Sequence, residues 1–242
     1  MKKFKLFVLA AFLGLATSAS AQFVNSGSSN SSASSTSSSF DFTSVKTNGW
    51  SRIYVSYLPS KMKLDYDDAD DFKFKGFQVG WLKGFGLTQR LPLYMEAGAA
   101  IQYRSYKDEE SDSYYDFSDK YNLLSLNIPV NLLYRFNIKD DFSISPYFGL
   151  DFRINLLGKE KLEYTANGET ESEDFNLFDK GDMEELYESD KAVWKRFQAG
   201  WHIGVGFDYR IIHIAIEYGT DFNEIAEKSK FATTAITLGL NF

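Results

Sequence analysis

The sequence predicts an all-β fold: an eight-stranded antiparallel up-and-down β-barrel that crosses a membrane. Three observations predict it. Apolar and polar side chains alternate with period two in eight separate segments, the pattern of strands with one apolar and one polar face. The connections alternate between short and long, as in membrane barrels with tight turns at one end and loops at the other. A secretory leader precedes everything else.

The leader comes first in the chain. Lys2, Lys3 and Lys5 form a basic start, and Leu6 to Ala16 is an apolar run too short to span a bilayer as a helix. Ala19-Ser20-Ala21 then supplies an A-x-A cleavage site, so residues 1–21 read as a signal peptide and the mature chain as starting at Gln22. The competing reading is a short membrane anchor. Residues 25–39 are almost entirely Ser, Asn, Gly and Thr. Such a tract buries too little apolar surface to offset its ordering entropy, and 22–48 is expected to be a flexible leader. The barrel is expected over 49–242.

Composition narrows the class. The chain has no Cys, which removes disulfides and thiolate metal sites. Loss of the three leader lysines takes the formal charge from −7 to −10, a poor match to nucleic acid, so no nucleic-acid partner is expected. Mean hydropathy is −0.30, and no later apolar run approaches the length of a transmembrane helix. Barrel strands escape that test, because half of each faces a polar lumen. The 17% aromatic share suits interfacial girdles.

The eight segments are about 50–58, 74–85, 92–106, 121–136, 142–157, 196–208, 212–221 and 231–242. In the second, Phe77, Val79, Trp81, Lys83 and Phe85 oppose Gln78, Gly80, Leu82 and Gly84. In the fourth, Leu124, Leu126, Ile128, Val130, Leu132 and Tyr134 oppose Ser125, Asn127, Asn131 and Arg135. The last ends on Ile236, Leu238, Leu240 and Phe242. Short connections fall at 86–91, 137–141 and 209–211, and long ones at 59–73, 107–120, 158–195 and 222–230. The even strand number puts both termini on the short-turn side. A soluble lipocalin-like barrel is the rival. It would bury the face that carries Glu96, Arg135, Asp151, Arg153 and Glu217, and each buried charge costs several kcal/mol unless paired. Apolar faces turned to lipid around an ionic interior fit better.

The inward face collects Glu96, Asp151 and Glu217 with Arg104, Arg135, Arg153 and His202. Eight staves leave a lumen just filled by side chains, so balanced charges there are expected to pair and plug it. A tight sixth–seventh hairpin would bring His202 near Glu217, leaving open a gated path or a proton-sensitive His–Glu contact. The chain has two histidines, and neither His202 nor His213 is placed near the outer loops, so no catalytic residue is assigned and no enzyme is expected.

The outer loops are acidic. Residues 107–120 hold six carboxylates against two lysines, and 159–191 hold twelve against four. Asp182 and Glu185 resemble a capping box, which predicts a short helix with Met183, Leu186 and Tyr187 on one side. Asp65, Asp67, Asp68, Asp70 and Asp71 cluster oxygens that suit a divalent cation, without the glycine turn of an EF-hand loop. A solvated acidic surface is the plainer reading. No cofactor is expected.

The run Leu126-Asn127-Ile128-Pro129-Val130 ending in Tyr134-Arg135-Phe136 resembles the fourth strand of the PorT-like outer-membrane barrels of Bacteroidota. Pro146-Tyr147-Phe148-Gly149-Leu150, Gly204-Val205-Gly206-Phe207, Ile216-Glu217-Tyr218-Gly219 and the terminal Thr237-Leu238-Gly239-Leu240-Asn241-Phe242 are similar to its later strands. The resemblance implies an eight-stranded barrel of the size of OmpA or OmpX in the outer membrane of a Gram-negative bacterium. It implies outer-membrane lipid and the barrel-assembly machinery as partners. It supplies no substrate. Three roles follow as expectations: a non-porin structural or surface-binding protein acting through acidic loops, an accessory of a secretion or envelope-assembly complex with an envelope protein as partner, or a lipid-modifying enzyme.

Overall fold

The computed structural model describes residues 49–65, 71–88, 91–111, 115–139, 141–166, 169–188 and 193–242. Eleven strands run β1 Trp50–Tyr57, β2 Ser60–Leu64, β3 Phe72–Gly86, β4 Leu93–Ser111, β5 Tyr115–Tyr134, β6 Phe136–Lys139, β7 Phe142–Ala166, β8 Glu169–Asn176, β9 Phe197–Tyr209, β10 Ile212–Asp221 and β11 Ser229–Asn241. One helix, α1, spans Lys180–Tyr187.

All eight sequence segments are staves of one closed antiparallel ring. β1 and β2 form the first stave, interrupted at Leu58-Pro59, and β5 with β6 the fourth. The ring is shut where first meets last: β1 pairs with β11 from Arg52↔Asn241 to Tyr57↔Ile236, and Ser51 and Phe242 exchange backbone hydrogen bonds of 2.8 and 2.9 Å. Closure leaves no unpaired edge in lipid, which a membrane-spanning sheet requires.

Alternation decides the faces. Ile53, Phe77, Val79, Trp81, Ile101, Ile203, Phe207, Ile214, Ile216, Ile236, Leu238 and Leu240 are all exposed, whereas Arg52, Glu96, Gln102, Arg104, Arg153 and His202 are buried. A water-soluble barrel would show the reverse. Along β3 the outward apolar residues run from Phe77 to Phe85, about 27 Å of strand and about 20 Å of height at the usual tilt, close to an outer-membrane apolar band. Tyr57, Phe77, Tyr103 and Phe197 ring its upper end, and Phe85, Tyr209 and Phe242 its lower end.

Pro129 sits inside β5, where a proline cannot donate to a ladder. The β4–β5 pairing is interrupted there: Ala97 pairs with Val130 and Ala100 with Asn127, with nothing registered between. A second irregularity is a bulge. Leu124 pairs with Leu157 but Ser125 with Asn155, so Leu156 is the extra residue and both leucines face outward. Past this point the inward parity of β7 changes from odd to even, bringing Glu160 inside.

The turns at the lower end are short, as expected. The upper end corrects the sequence reading. Much of 107–120 and 158–176 continues as strand: β4, β5 and β7 extend past the apolar band to Ser111, Tyr115 and Ala166, and β8 returns alongside β7. The helix begins earlier than the capping-box reading placed it. Its N-cap is Asp179, which accepts from the Gly181 and Asp182 amides, and Asp182 lies in the first turn.

Candidate functional site

The lumen is divided into three polar tiers. In the lowest, Asp208 is the hub. His213 Nδ1 lies 2.8 Å from it, Arg52 3.6 Å and Arg135 3.5 Å, and Asn241 Nδ2 donates at 2.7 Å. Arg52 also holds Glu96 at 2.8 Å, and Trp50 Nε1 donates to the same carboxylate at 2.9 Å. In the middle tier His202 joins Asp151 through Nδ1 at 2.5 Å and Asn131 Oδ1 through Nε2 at 2.8 Å. Both ring nitrogens thus face oxygen acceptors, the arrangement a doubly protonated ring satisfies. Gly149 leaves room for that ring: a Cβ there would stand 2.1 Å from His202 Nε2. In the upper tier Arg153 pairs with Asp221, and Arg104 donates to Ser60 and Thr233 with its guanidinium 4.9 Å over the Phe231 ring.

These tiers place all seven of the residues picked from the sequence inside the lumen and add Arg52, Asp208, His213 and Asp221. The predicted His202–Glu217 contact is not the one formed. Glu217 accepts from the Tyr147 hydroxyl at 2.8 Å, and His202 turns to Asp151 instead. Arg104 has no carboxylate within 4 Å among the described residues. The added residues carry a readable signal, since each falls on the inward parity of its strand. All four sit near stave ends, where alternation gives the weakest sign of an inward charge.

Above the tiers the mouth is closed by an apolar cap. Met62, Phe74, Tyr121, Leu123, Phe175, Leu177, Met183, Trp194, Ile225 and Phe231 form one buried cluster. Leu177 and Met183 come from the segment between β8 and β9 and are fully buried, so this segment packs across the opening. Tyr121 stacks on Trp194 with ring centres 6.0 Å apart. Tyr187 reaches from α1 to donate to Glu160 at 2.7 Å, beside the Tyr121 hydroxyl at 2.8 Å. Burial pushes the Glu160 carboxyl above its usual range against those two hydrogen bonds. Burial, then the Glu160 charge, raises Asp119 to about 7.

Beyond the cap, the upper parts of β4, β5, β7 and β8 form a four-stranded sheet outside the apolar band, carrying Glu109, Glu110, Asp116, Glu169, Glu171, Glu173 and Asp174. Of the aspartates singled out for a cation, Asp65 is exposed and Asp71 half-buried at opposite ends of a connection. Asp67, Asp68 and Asp70 lie outside the described residues. Among the described residues no group of three potential metal ligands converges.

The family model for the outer membrane protein beta-barrel domain matches residues 88–225, more than half of the chain. The chain belongs to this outer-membrane barrel family. Its members sit in membrane lipid, which agrees with the outward apolar band. Among solved structures the chain is similar to Ail, the attachment invasion locus protein of Yersinia pestis, at 17% identity with a TM-score of 0.39, covering 80% of this chain and 99% of that one. It is similar to Neisserial surface protein A at 12% identity and TM-score 0.37, covering 80% and 97%. The N-terminal barrel domain of Pseudomonas aeruginosa OprF aligns at 11% identity and TM-score 0.32, covering 81% and 100%. No curated protein matches the sequence.

Proposed function

We propose that this outer-membrane barrel is a closed, non-enzymatic anchor that presents its acidic extracellular sheet for binding at the cell surface. The observation that carries the reading is the sealed path. Buried charges, most of them in ion pairs and the rest hydrogen-bonded to hydroxyls, occupy the lumen, an apolar cap covers the mouth, and the strands then continue outward instead of ending at the membrane. A conduit needs the opposite arrangement, a water-filled interior with an open rim. His202 and His213 are buried inside the lumen, and among the described residues their hydrogen-bond partners are Asp151, Asn131 and Asp208, with no hydroxyl nucleophile for either to activate. In this reading residues 1–21 direct export and are removed, and 22–48 remain as a periplasmic leader.

Planar-bilayer recording tests the closure: the full chain should give no steady conductance, and a large one would overturn the reading. Surface binding is tested without disturbing the cap. Glu109, Glu110, Glu169, Glu171 and Glu173, all exposed, are changed together to Gln. Crosslinking in intact envelopes should lose an extracellular partner in that variant. Crosslinks that persist and map to the leader would instead favour the accessory role in a secretion or envelope-assembly complex.

A further inference from the structure

Immediately above the aromatic ring of Tyr57 and Phe77, the lipid-facing side of β2, β3 and β11 carries five lysines. Lys61, Lys63, Lys73 and Lys75 are exposed and Lys230 is half-buried. Two like-charge pairs stand directly opposite each other across strands, Lys61↔Lys73 and Lys63↔Lys230. Directly opposed like charges destabilise a sheet, so a sheet that keeps two such pairs side by side needs a counter-charge. The other row of opposed lysines, Lys107, Lys120 and Lys161 on β4, β5 and β7, has carboxylates paired into it. Lys107 pairs with Glu109 at 2.5 Å and Lys161 with Glu163 at 2.7 Å, each two residues further along the same strand. Among the described residues, none of the five lysines on β2, β3 and β11 has a carboxylate within 4 Å. Lys230 reaches only the Phe222 carbonyl, at 2.9 Å. Asp65 and Asp71, the acidic residues nearest in sequence to the four lysines of β2 and β3, lie further from the membrane.

Height selects the occupant. The alternation along β3 is continuous from Phe77 in the apolar band to Lys75 and Lys73 above it, so the ammonium groups stand about one strand repeat above the hydrocarbon edge. Lysine stems lie along apolar surface while the charged ends reach the headgroup layer. Phosphate groups of outer-leaflet lipids occupy that layer, and multiple lysines near such a surface attract them. We propose that this lysine patch binds the phosphate headgroups of outer-leaflet lipid, so that one side of the barrel holds an annulus of anionic lipid. The patch points sideways into the leaflet and is independent of the acidic sheet above.

The test uses the full chain folded into phosphatidylcholine nanodiscs doped with either diphosphorylated lipid A or the same lipid stripped of phosphate. Retained lipid is counted by native mass spectrometry. Wild type should keep the phosphorylated lipid. The K61Q/K63Q/K73Q/K75Q variant should keep about tenfold less, and K83Q, altered at the lower rim, should match wild type. Equal retention by wild type and the quadruple variant, or equal retention of both lipids by wild type, would overturn the proposal. Displacement by inorganic phosphate alone would mark a free-anion site and overturn the lipid source. The double variant K61Q/K73Q provides a readout independent of lipid counting. In phosphatidylcholine its folded gel band should survive to at least the wild-type temperature, because a repulsive pair is gone. In phosphorylated lipid it should be lost at a lower temperature than wild type. A loss of heat resistance in both lipids would give these lysines a structural role and overturn the proposal.

Discussion

Replacing Asp208 by Asn tests whether the lowest charge tier holds the barrel together. The change keeps the shape and removes the one negative charge that Arg52, Arg135 and His213 share. At an effective dielectric constant near 20, two charges 3.5 Å apart attract by about 5 kcal/mol, most of which is taken back by desolvation. Breaking one partner out of a buried pair usually costs about 3–5 kcal/mol. The lower end applies, because Arg52 keeps Glu96 at 2.8 Å and Arg135 remains partly open to solvent. A loss of about 3 kcal/mol is therefore expected. Urea titration of the full chain in lipid vesicles, read by the migration difference between unheated and boiled samples, measures it by linear extrapolation. Asp141→Asn, which removes the exposed Asp141–Arg210 pair at 3.2 Å, is the control and should cost under about 0.5 kcal/mol. If the Asp208 variant behaves like the control, the tier is ornament to a barrel held by its backbone ladder alone, and the reasoning fails.

Other consequences can be measured on the same preparation. Met183→Ala empties a fully buried site in the cap and should cost about 2 kcal/mol or more there; limited proteolysis within 176–195 should quicken about thirtyfold or more while the barrel band stays intact. Gly149→Ala drives a methyl into the His202 ring and should break its contacts with Asp151 and Asn131, seen as a shifted imidazole resonance and a lower unfolding temperature. The cap should tighten in acid. Asp119 and Glu160 are both raised in the folded state, so their contribution is full below the ordinary carboxylate range and is lost as pH climbs to about 7 for Asp119. Hydrogen exchange of the α1 amides, corrected for intrinsic rate, should speed up from pH 4 to pH 7 and level off above, and Asp119→Asn should flatten the profile. Asp119 is only partly buried, so solvent screening makes the slope shallow.

The membrane-embedded part of the fold was legible because lipid enforces strict alternation. Every stave from Trp50 to Phe242 follows a period of two, and a one-residue slip would put Arg153 or Glu96 into hydrocarbon. Outside the lipid that constraint lapses. The extra residue Leu156 shifts the phase of β7, so Lys159 to Ala166 reads as an acidic loop when alternation is counted through it. The cap was illegible for a different reason. Leu177, Met183 and Trp194 lie in a stretch rich in carboxylates, and local composition suggested solvent. Their burial depends on Met62, Phe74 and Phe231, contributed by distant strands. The choice of Asp151 over Glu217 by His202 likewise turns on the reach of Tyr147, which already occupies Glu217 across 70 positions of sequence.

The seam between β1 and β11 has a consequence for how the polypeptide reaches its final state. Its two halves lie far apart along the chain, with Arg52 Nε bonded to Asn241 Oδ1 at 2.8 Å across 189 positions. Closing so wide an interval exacts more chain entropy than any other strand pairing in the barrel. A chain cut short before β11 would be left as a curled sheet with two raw borders, each ready to zip onto a stranger.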